Sequence, residues 1–477
     1  MALDTIPKQE GGKLKAVASG TLPSGQPVVV NADGTVSVVS GTAEGFSPTA
    51  TASTGNPDGF QIGSAFCPVT NKVVVAWSDG SNSNYGTAAV GTVSGSSISF
   101  GTEVVFASFG VSNVDVCEAG NGKVLVFYRK NTGPCTAQVG TISGASISFG
   151  SGSDFFFSGN VLSAAYDSNA GKVVVSFRKA TSPNYMTSRV CTISGTSVSF
   201  GSEATVASRG VMSEAGFGTT TFDSNSNKIV VSFIDSAWGL YSAVGTVSGT
   251  SISYGSTTTV LTGNYQRYPN STFDTTSNKV ILSWHDTSAA NAGKVVVGTV
   301  SGTSISYGAA VEFSTTAPYN NSSTVVYDPD ADKVVVSYST ASNTIVQFGT
   351  VSGTSITLGG LIQNTFNGLA LSSVYDSNSN KVVLSGEDGS RAKSLLYLPA
   401  TTTLTSENYI GISTGGAVAD GGNATVGIVG SVSDEQSGLT AGQQYYVQTD
   451  GTLSETPADP SVLAGTALSA TKMVVKS

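Results

Sequence analysis

The chain has 477 residues, enough for about three domains at roughly 150 residues each unless one large repeat architecture absorbs most of it. Only 11% of its residues are charged, against about 25% in an ordinary soluble protein, while 39% are hydrophobic. That supplies a core and excludes wholesale disorder, no apolar run approaches the roughly 18 to 20 residues of a membrane span, and a net charge of −9 without any Lys/Arg cluster excludes a nucleic-acid partner.

The chain opens Met1-Ala-Leu-Asp-Thr-Ile-Pro-Lys-Gln-Glu, with no basic stretch leading into an apolar one, so no secretory signal is read and synthesis in a host cytoplasm is expected. Leu22-Pro-Ser-Gly-Gln-Pro-Val-Val-Val-Asn-Ala-Asp-Gly-Thr-Val-Ser follows, a Gly-Gln turn into an apolar strand and an Asp-Gly turn out of it. Next comes Ser40-Gly-Thr-Ala-Glu-Gly-Phe-Ser-Pro-Thr-Ala-Thr-Ala-Ser, whose counterpart, Ser199-Phe-Gly-Ser-Glu-Ala-Thr-Val-Ala-Ser, ends a repeat unit.

From there a segment of the form Tyr-Asp-Ser-Asn-Ser-Asn-Lys-Val-Val-Val-Ser-Phe recurs at a period of about 50 residues, its lysine falling at Lys72, Lys123, Lys172, Lys228, Lys279, Lys333 and Lys381. A second segment, Val-Gly-Thr-Val-Ser-Gly-Thr-Ser-Ile-Ser-Tyr-Gly, follows the first six, with its turn at Gly95, Gly144, Gly195, Gly249, Gly302 and Gly353. Both read as hairpins, because β-branched or alternating apolar runs are bounded by Asn, Asp and Gly. Four strands per unit, seven times, predict a seven-bladed β-propeller of four-stranded antiparallel blades over residues 41–404, in preference to a linear β-solenoid. The seventh unit lacks the second segment, so residues near 44–53 are expected to supply its outer strand and clasp the ring.

Beyond the repeats, Leu439-Thr-Ala-Gly-Gln-Gln-Tyr-Tyr-Val-Gln-Thr-Asp-Gly-Thr-Leu-Ser aligns without gaps with the segment from Leu22 to Ser37, matching at eight of sixteen positions. Residues 1–40 and 405–477 are therefore expected to form one small β module, into which the propeller is inserted. The fold class is all-β.

Tyr409-Ile-Gly-Ile-Ser, the stretch from Ser437 to Ser454 and Ala464-Gly-Thr-Ala-Leu-Ser-Ala-Thr-Lys-Met-Val-Val resemble a segment of structural proteins of tailed bacteriophages, especially marine ones. With Ala18-Ser-Gly-Thr-Leu-Pro-Ser-Gly-Gln-Pro-Val-Val-Val, the pattern is also similar to small β-rich capsid decoration proteins, from which it departs by some 360 intervening residues. The resemblance implies a virion surface location, partners among other virion proteins bound through the terminal module, and release by lysis. Blade turns such as Tyr327-Asp-Pro-Asp-Ala-Asp-Lys-Val-Val-Val are similar to those of propellers with an Asn-Lys-Val-Tyr-Val signature, a likeness that carries fold and not activity.

Candidate chemistry is sparse. One histidine, His285 in Ser-Trp-His-Asp, excludes a multi-histidine metal centre, and a strand-end structural role is preferred over a Ser-His-Asp triad. Cys67, Cys117, Cys135 and Cys191 lack zinc spacing and leave at most an isolated disulfide open. Asp328, Asp330 and Asp332 have the alternate spacing of a calcium loop, yet Lys333 and Ser339 stand where such a loop needs glycine and glutamate; a side-chain-braced hairpin is preferred, and no other cofactor is expected. Asp79, Arg129, Arg178, Asp235, Asp286 and Asp388, at the ends of second strands, are read as a mixed rim of solvated charges with some pairing between blades.

Loops on that face contain Tyr85, Tyr185, Trp238, Tyr241, Tyr265, Arg267, Tyr268 and Tyr319, residue types suited to stacking on sugars or anchoring a protein surface, and equally to plugging loops. The leading expectation is a non-enzymatic phage surface protein displaying its propeller for host-surface or glycan attachment. Capsid decoration is an alternative, and head or tail-fibre placement is open. A carbohydrate-active propeller enzyme is an alternative of another class, which a matched pair of facing carboxylates in a deep aromatic pocket would favour.

Overall fold

The computed structural model describes residues 12–42, 44–157, 159–179, 184–212, 218–262, 266–286, 292–315, 318, 322–399 and 401–476. The protein is all-β and built of antiparallel sheets, and it divides into two compact units, Phe46–Leu398 and Met1–Gly45 with Pro399–Ser477.

In the repeat region each lysine-marked segment forms the first hairpin of a sheet. The third repeat is representative: Gly159–Asp167 pairs with Lys172–Lys179, which pairs with Tyr185–Ser194. The expected fourth strand is broken in two, Ser197–Phe200 against the end of the third strand and Ala204–Gly210 against its start. The break falls at the glycine of Ser-Phe-Gly, for a reason outside its own unit. A Cβ on Gly101, Gly150, Gly201, Gly255 or Gly308 would strike the carbonyl oxygen of Ala145, Thr196, Thr250, Thr303 or Thr354, the turn residue of the next repeat. Only glycine lets the two backbones approach so closely.

The first turn is held as its composition dictates. The Oδ1 of Asp223 accepts the N–H groups of Asn225 (2.9 Å) and Ser226 (3.0 Å), and Asp274, Asp328 and Asp376 do the same for the residues two and three positions on. The residue before the marker lysine then takes a left-handed backbone, φ +52° to +56° at Asn71, Asn227, Asn278, Asp332 and Asn380, which Asn and Asp tolerate better than other side chains.

Side chains on both faces of the second strands are buried, as a sheet flanked on each side requires; Val73, Val74 and Val75 are all at 0% exposure. Five positions after each marker lysine except the last stands an aromatic ring, at Trp77, Tyr128, Phe177, Phe233, Trp284 and Tyr338. Tyr128, Phe177 and Tyr338 meet an outer-strand phenylalanine of the preceding repeat, Phe106, Phe155 and Phe313, with ring centroids 5.3, 5.3 and 5.4 Å apart. Where the inner ring is tryptophan the partner shrinks: Ala52 packs in the cluster of Trp77, and Val260 in that of Trp284.

The first strands of successive repeats touch in a circuit. Pro57–Cys67 lies beside Val104–Glu118, which lies beside Gly159–Asp167, and so on to Leu369–Asp376, which touches Pro57–Cys67 again. Hydroxyl bonds stitch this circuit, including Ser64 to Ser372 (2.7 Å), Thr219 to Ser271 (2.8 Å) and Thr324 to Ser373 (2.8 Å). The seventh repeat receives its outer pairing from the start of the region: Ala50 and Thr51 pair with Ser394 and Lys393.

The other unit contains, among the described residues, two five-stranded sheets of the same plan. One has the order Lys13–Val17, Asn423–Gly427, Tyr409–Thr414, Pro27–Val30, Val36–Val38; the other has Val432–Ser433, Lys472–Val475, Val462–Ser469, Gln444–Val447, Leu453–Ser454. Their matching hairpins carry matching turns. Asp33 accepts the N–H and hydroxyl of Thr35 at 3.0 and 2.6 Å, Asp450 those of Thr452 at 2.9 and 2.7 Å, and both carboxyls are held below the usual range by these bonds. Val29, Tyr409 and Ile412 of the first sheet join Tyr445, Val447 and Met473 of the second in one core. The first sheet is thus assembled from both ends of the chain, and the repeats occupy the place that residues 455–461 fill in the second.

Candidate functional site

The aromatic and basic residues singled out in the loops do not form one site. Tyr85 and Tyr185 are half-buried at the starts of third strands in the first and third repeats, while Tyr265 and Tyr319 lie outside the described residues. The remaining four gather around the fourth and fifth repeats.

Trp238 sits at the tip of the loop between Lys228–Ile234 and Leu240–Ser248, with φ +66°. The loop is shaped by Asp235, whose carboxylate accepts the N–H groups of Ala237 and Gly239, both at 2.9 Å. The guanidinium of Arg267 lies 5.2 Å from the Trp238 ring, a cation–π contact that ties this loop to the first strand of the fifth repeat. Tyr241 has the same kind of cover, since Arg209 is 4.3 Å from its ring and 3.6 Å from Asp235. Its other face is stacked on Phe233 at 6.1 Å, so Tyr241 is a packing residue, 7% exposed.

Tyr268, with φ +50°, packs its ring 5.5 Å from that of His285. His285 is buried, its Nε2 is 2.7 Å from the Ser323 hydroxyl of the sixth repeat, and desolvation pushes its pKa down to about 4. A neutral, fully packed imidazole between two repeats is structural, not a proton shuttle.

The charged rim differs from the expected solvated ring. Asp79, Asp235 and Asp286 are buried, and each holds loop structure: Asp79 accepts the Ser81 N–H at 3.0 Å, and Asp286 accepts the Gln266 side-chain amide at 3.2 Å. Arg178 donates to the Val211 carbonyl at 3.0 Å, and Asp388 pairs with Lys393 at 2.9 Å. These positions spend their charge on loop geometry, which residue type alone does not reveal.

Asp328 and Asp332 are likewise engaged in their own hairpin, and Asp330 with the seventh repeat. Asp328 accepts two backbone N–H groups, Asp330 accepts the Asn380 amide at 3.2 Å, and Asp332 accepts the Tyr327 hydroxyl at 2.7 Å. Among the described residues no group of three His, Cys, Asp or Glu side chains converges as metal ligands. Cys67, Cys117, Cys135 and Cys191 form no disulfide with one another.

Sequence reasoning missed a cavity of about 290 Å³ between the fourth and fifth repeats. Val260 and Leu261 form one wall; Trp284, Asp286, Lys294, Val296 and Tyr307 form the rest. Tyr307 is fixed by a 2.7 Å bond from its hydroxyl to Ser242, and Lys294 by a 3.0 Å ion pair with Glu312. The signal was present: Val260 stands where three sister repeats have phenylalanine.

No protein-family model matches the chain, and no curated protein matches it. Among solved structures it is similar to AofleA from Arthrobotrys oligospora (TM-score 0.41, 9% identity, covering 73% of this chain and 97% of that one). It is also similar to the SapL1 lectin in complex with alpha methyl fucoside (0.40, 13%, 64% and 97%) and to a putative glucose dehydrogenase from Thermus thermophilus (0.38, 7%, 57% and 93%). Likenesses this distant assign no role to any residue of this chain.

Proposed function

We propose that the chain is a non-enzymatic virion surface protein of the tailed-phage type, in which the seven repeats are the blades of a closed β-propeller. The module made from both termini docks on other virion proteins, and the loop face of the propeller contacts a host-surface glycan or protein. The observation that carries this reading is the interleaving of Lys13–Val17 and Pro27–Val30 with Tyr409–Thr414 and Asn423–Gly427 in one sheet. The two C-terminal strands lie between N-terminal ones, so the repeat region leaves from and returns to a single small scaffold, the architecture of a displayed insert. Val17, Val30, Val429, Val432 and Leu468 of that scaffold expose apolar side chains, which suits docking to a protein surface.

Recognition is favoured over bond cleavage by the state of the carboxylates. Asp79 and Asp235 are occupied in holding loops, and the Trp238 ring stands at a loop tip under the Arg267 guanidinium.

The test is antibody labelling of purified particles of the encoding phage, combined with competition of adsorption by the purified full chain. Labelled particles and slowed adsorption support attachment. Head labelling with unaffected adsorption would transfer the role to capsid decoration, and unlabelled particles would overturn the virion assignment.

A further inference from the structure

We propose that the cavity between the fourth and fifth repeats is a binding pocket for one neutral pyranose ring, the terminal residue of a glycan. This rests on the recognition reading above and names its ligand class and its place.

The cavity arises from one departure in a repeating pattern. Between the first and second, second and third, and fifth and sixth repeats, an outer-strand phenylalanine fills the space against the next repeat's ring. Between the third and fourth, Val206 leaves room that Tyr241 takes by stacking on Phe233. Between the fourth and fifth, Val260 faces Trp284, and the position equivalent to Tyr241 is Lys294, which is drawn to Glu312. Neither compensation occurs, and about 290 Å³ stays open.

Its chemistry is that of a sugar site. Small-molecule pockets span roughly 300–1,000 Å³, so this one holds a single ring and no more. Val260 and Leu261, backed by the buried Trp284 and Val296, offer an apolar surface to the C–H face of a pyranose. Asp286 accepts hydroxyl donors, Lys294 donates to ring or hydroxyl oxygens, and their opposite charges favour a neutral occupant.

The test uses the full chain, Val260→Phe and Trp284→Phe. Val260→Phe restores the filling seen at three sister interfaces, so it is expected to melt at or above the wild-type temperature. On a glycan array read at several protein concentrations, wild type should bind and Val260→Phe should lose at least tenfold in affinity. Titration with the free monosaccharide of the bound glycan should change tryptophan emission in wild type and leave Trp284→Phe unchanged, a readout that also serves if Val260→Phe folds poorly. Glycan binding that both variants retain would overturn this pocket while sparing the recognition reading. An array blank for wild type, with adsorption competition intact, would overturn the pyranose and point to a protein receptor.

Discussion

The repeat circuit is closed by a strand from the beginning of the region, and two serines make that closure measurable. The Ser47 hydroxyl accepts the Leu396 N–H at 2.9 Å, and the Ser53 hydroxyl accepts the Ala392 N–H at 2.8 Å. Both serines are 3% exposed, and Leu396 and Ala392 are at 0%. Replacing both serines with alanine removes little volume but strands two buried donors, each costing about 1–3 kcal/mol, so the double variant should lose about 2–6 kcal/mol. With a urea slope of roughly 3 kcal/mol/M, the unfolding midpoint should fall by about 0.7–2 M. Ser99→Ala, on the exposed face of an outer strand in the first repeat, is the control and should stay within about 0.5 kcal/mol of wild type. Urea unfolding followed by tryptophan emission and circular dichroism reads both. If the double variant matches the control, the segment around Ser47 and Ser53 does not clasp the seventh repeat and the reasoning fails.

His285 gives a pH signature. Its folded pKa of about 4 lies below the unfolded value near 6.5, so its neutral form favours the fold. That contribution is complete above about pH 6.5 and is lost as pH falls toward 4, by about 3 kcal/mol over the interval. His285→Gln should therefore show a shallower loss of stability between pH 6.5 and 4.5, measured by urea unfolding; equal slopes would contradict the burial argument. Gly201→Ala drives a methyl group into the Thr250 carbonyl and should cost about 1–3 kcal/mol, whereas Gly360→Ala, where nothing lies within 4 Å and φ is not positive, meets no such clash. Asp223→Ala removes the acceptor of two turn N–H groups and should lower stability by about 0.5–2 kcal/mol, as loss of a helix cap does. Because Asp328, Asp330 and Asp332 already accept donors of the protein itself, calcium chelation should leave the thermal midpoint unchanged; a fall of several degrees would restore the calcium-loop reading.

The local grammar of the repeats was legible because it is local. An Asp that bonds two residues on, an Asn or Gly at positive φ before the lysine, and a Val run buried on both faces are all set within a dozen residues. The duplicated ends were legible for the same reason, since Asp33 and Asp450 brace identical turns. What escaped lies between repeats. The outer strand is interrupted because Gly201 meets a carbonyl of the next sheet, and the rim aspartates are buried because neighbouring loops need their acceptors. The cavity beside Trp284 depends on Val260 some 24 positions earlier in the chain, a pairing that periodicity within one unit does not expose.

The most direct test of the account is equilibrium binding followed by recovery of the ligand. The full chain is titrated with the glycan that it captures from an array, and the glycan is then re-isolated and weighed by mass spectrometry after prolonged incubation. Saturable binding with the glycan recovered intact is the result that a display and recognition protein predicts. A shortened or chemically altered glycan would contradict it.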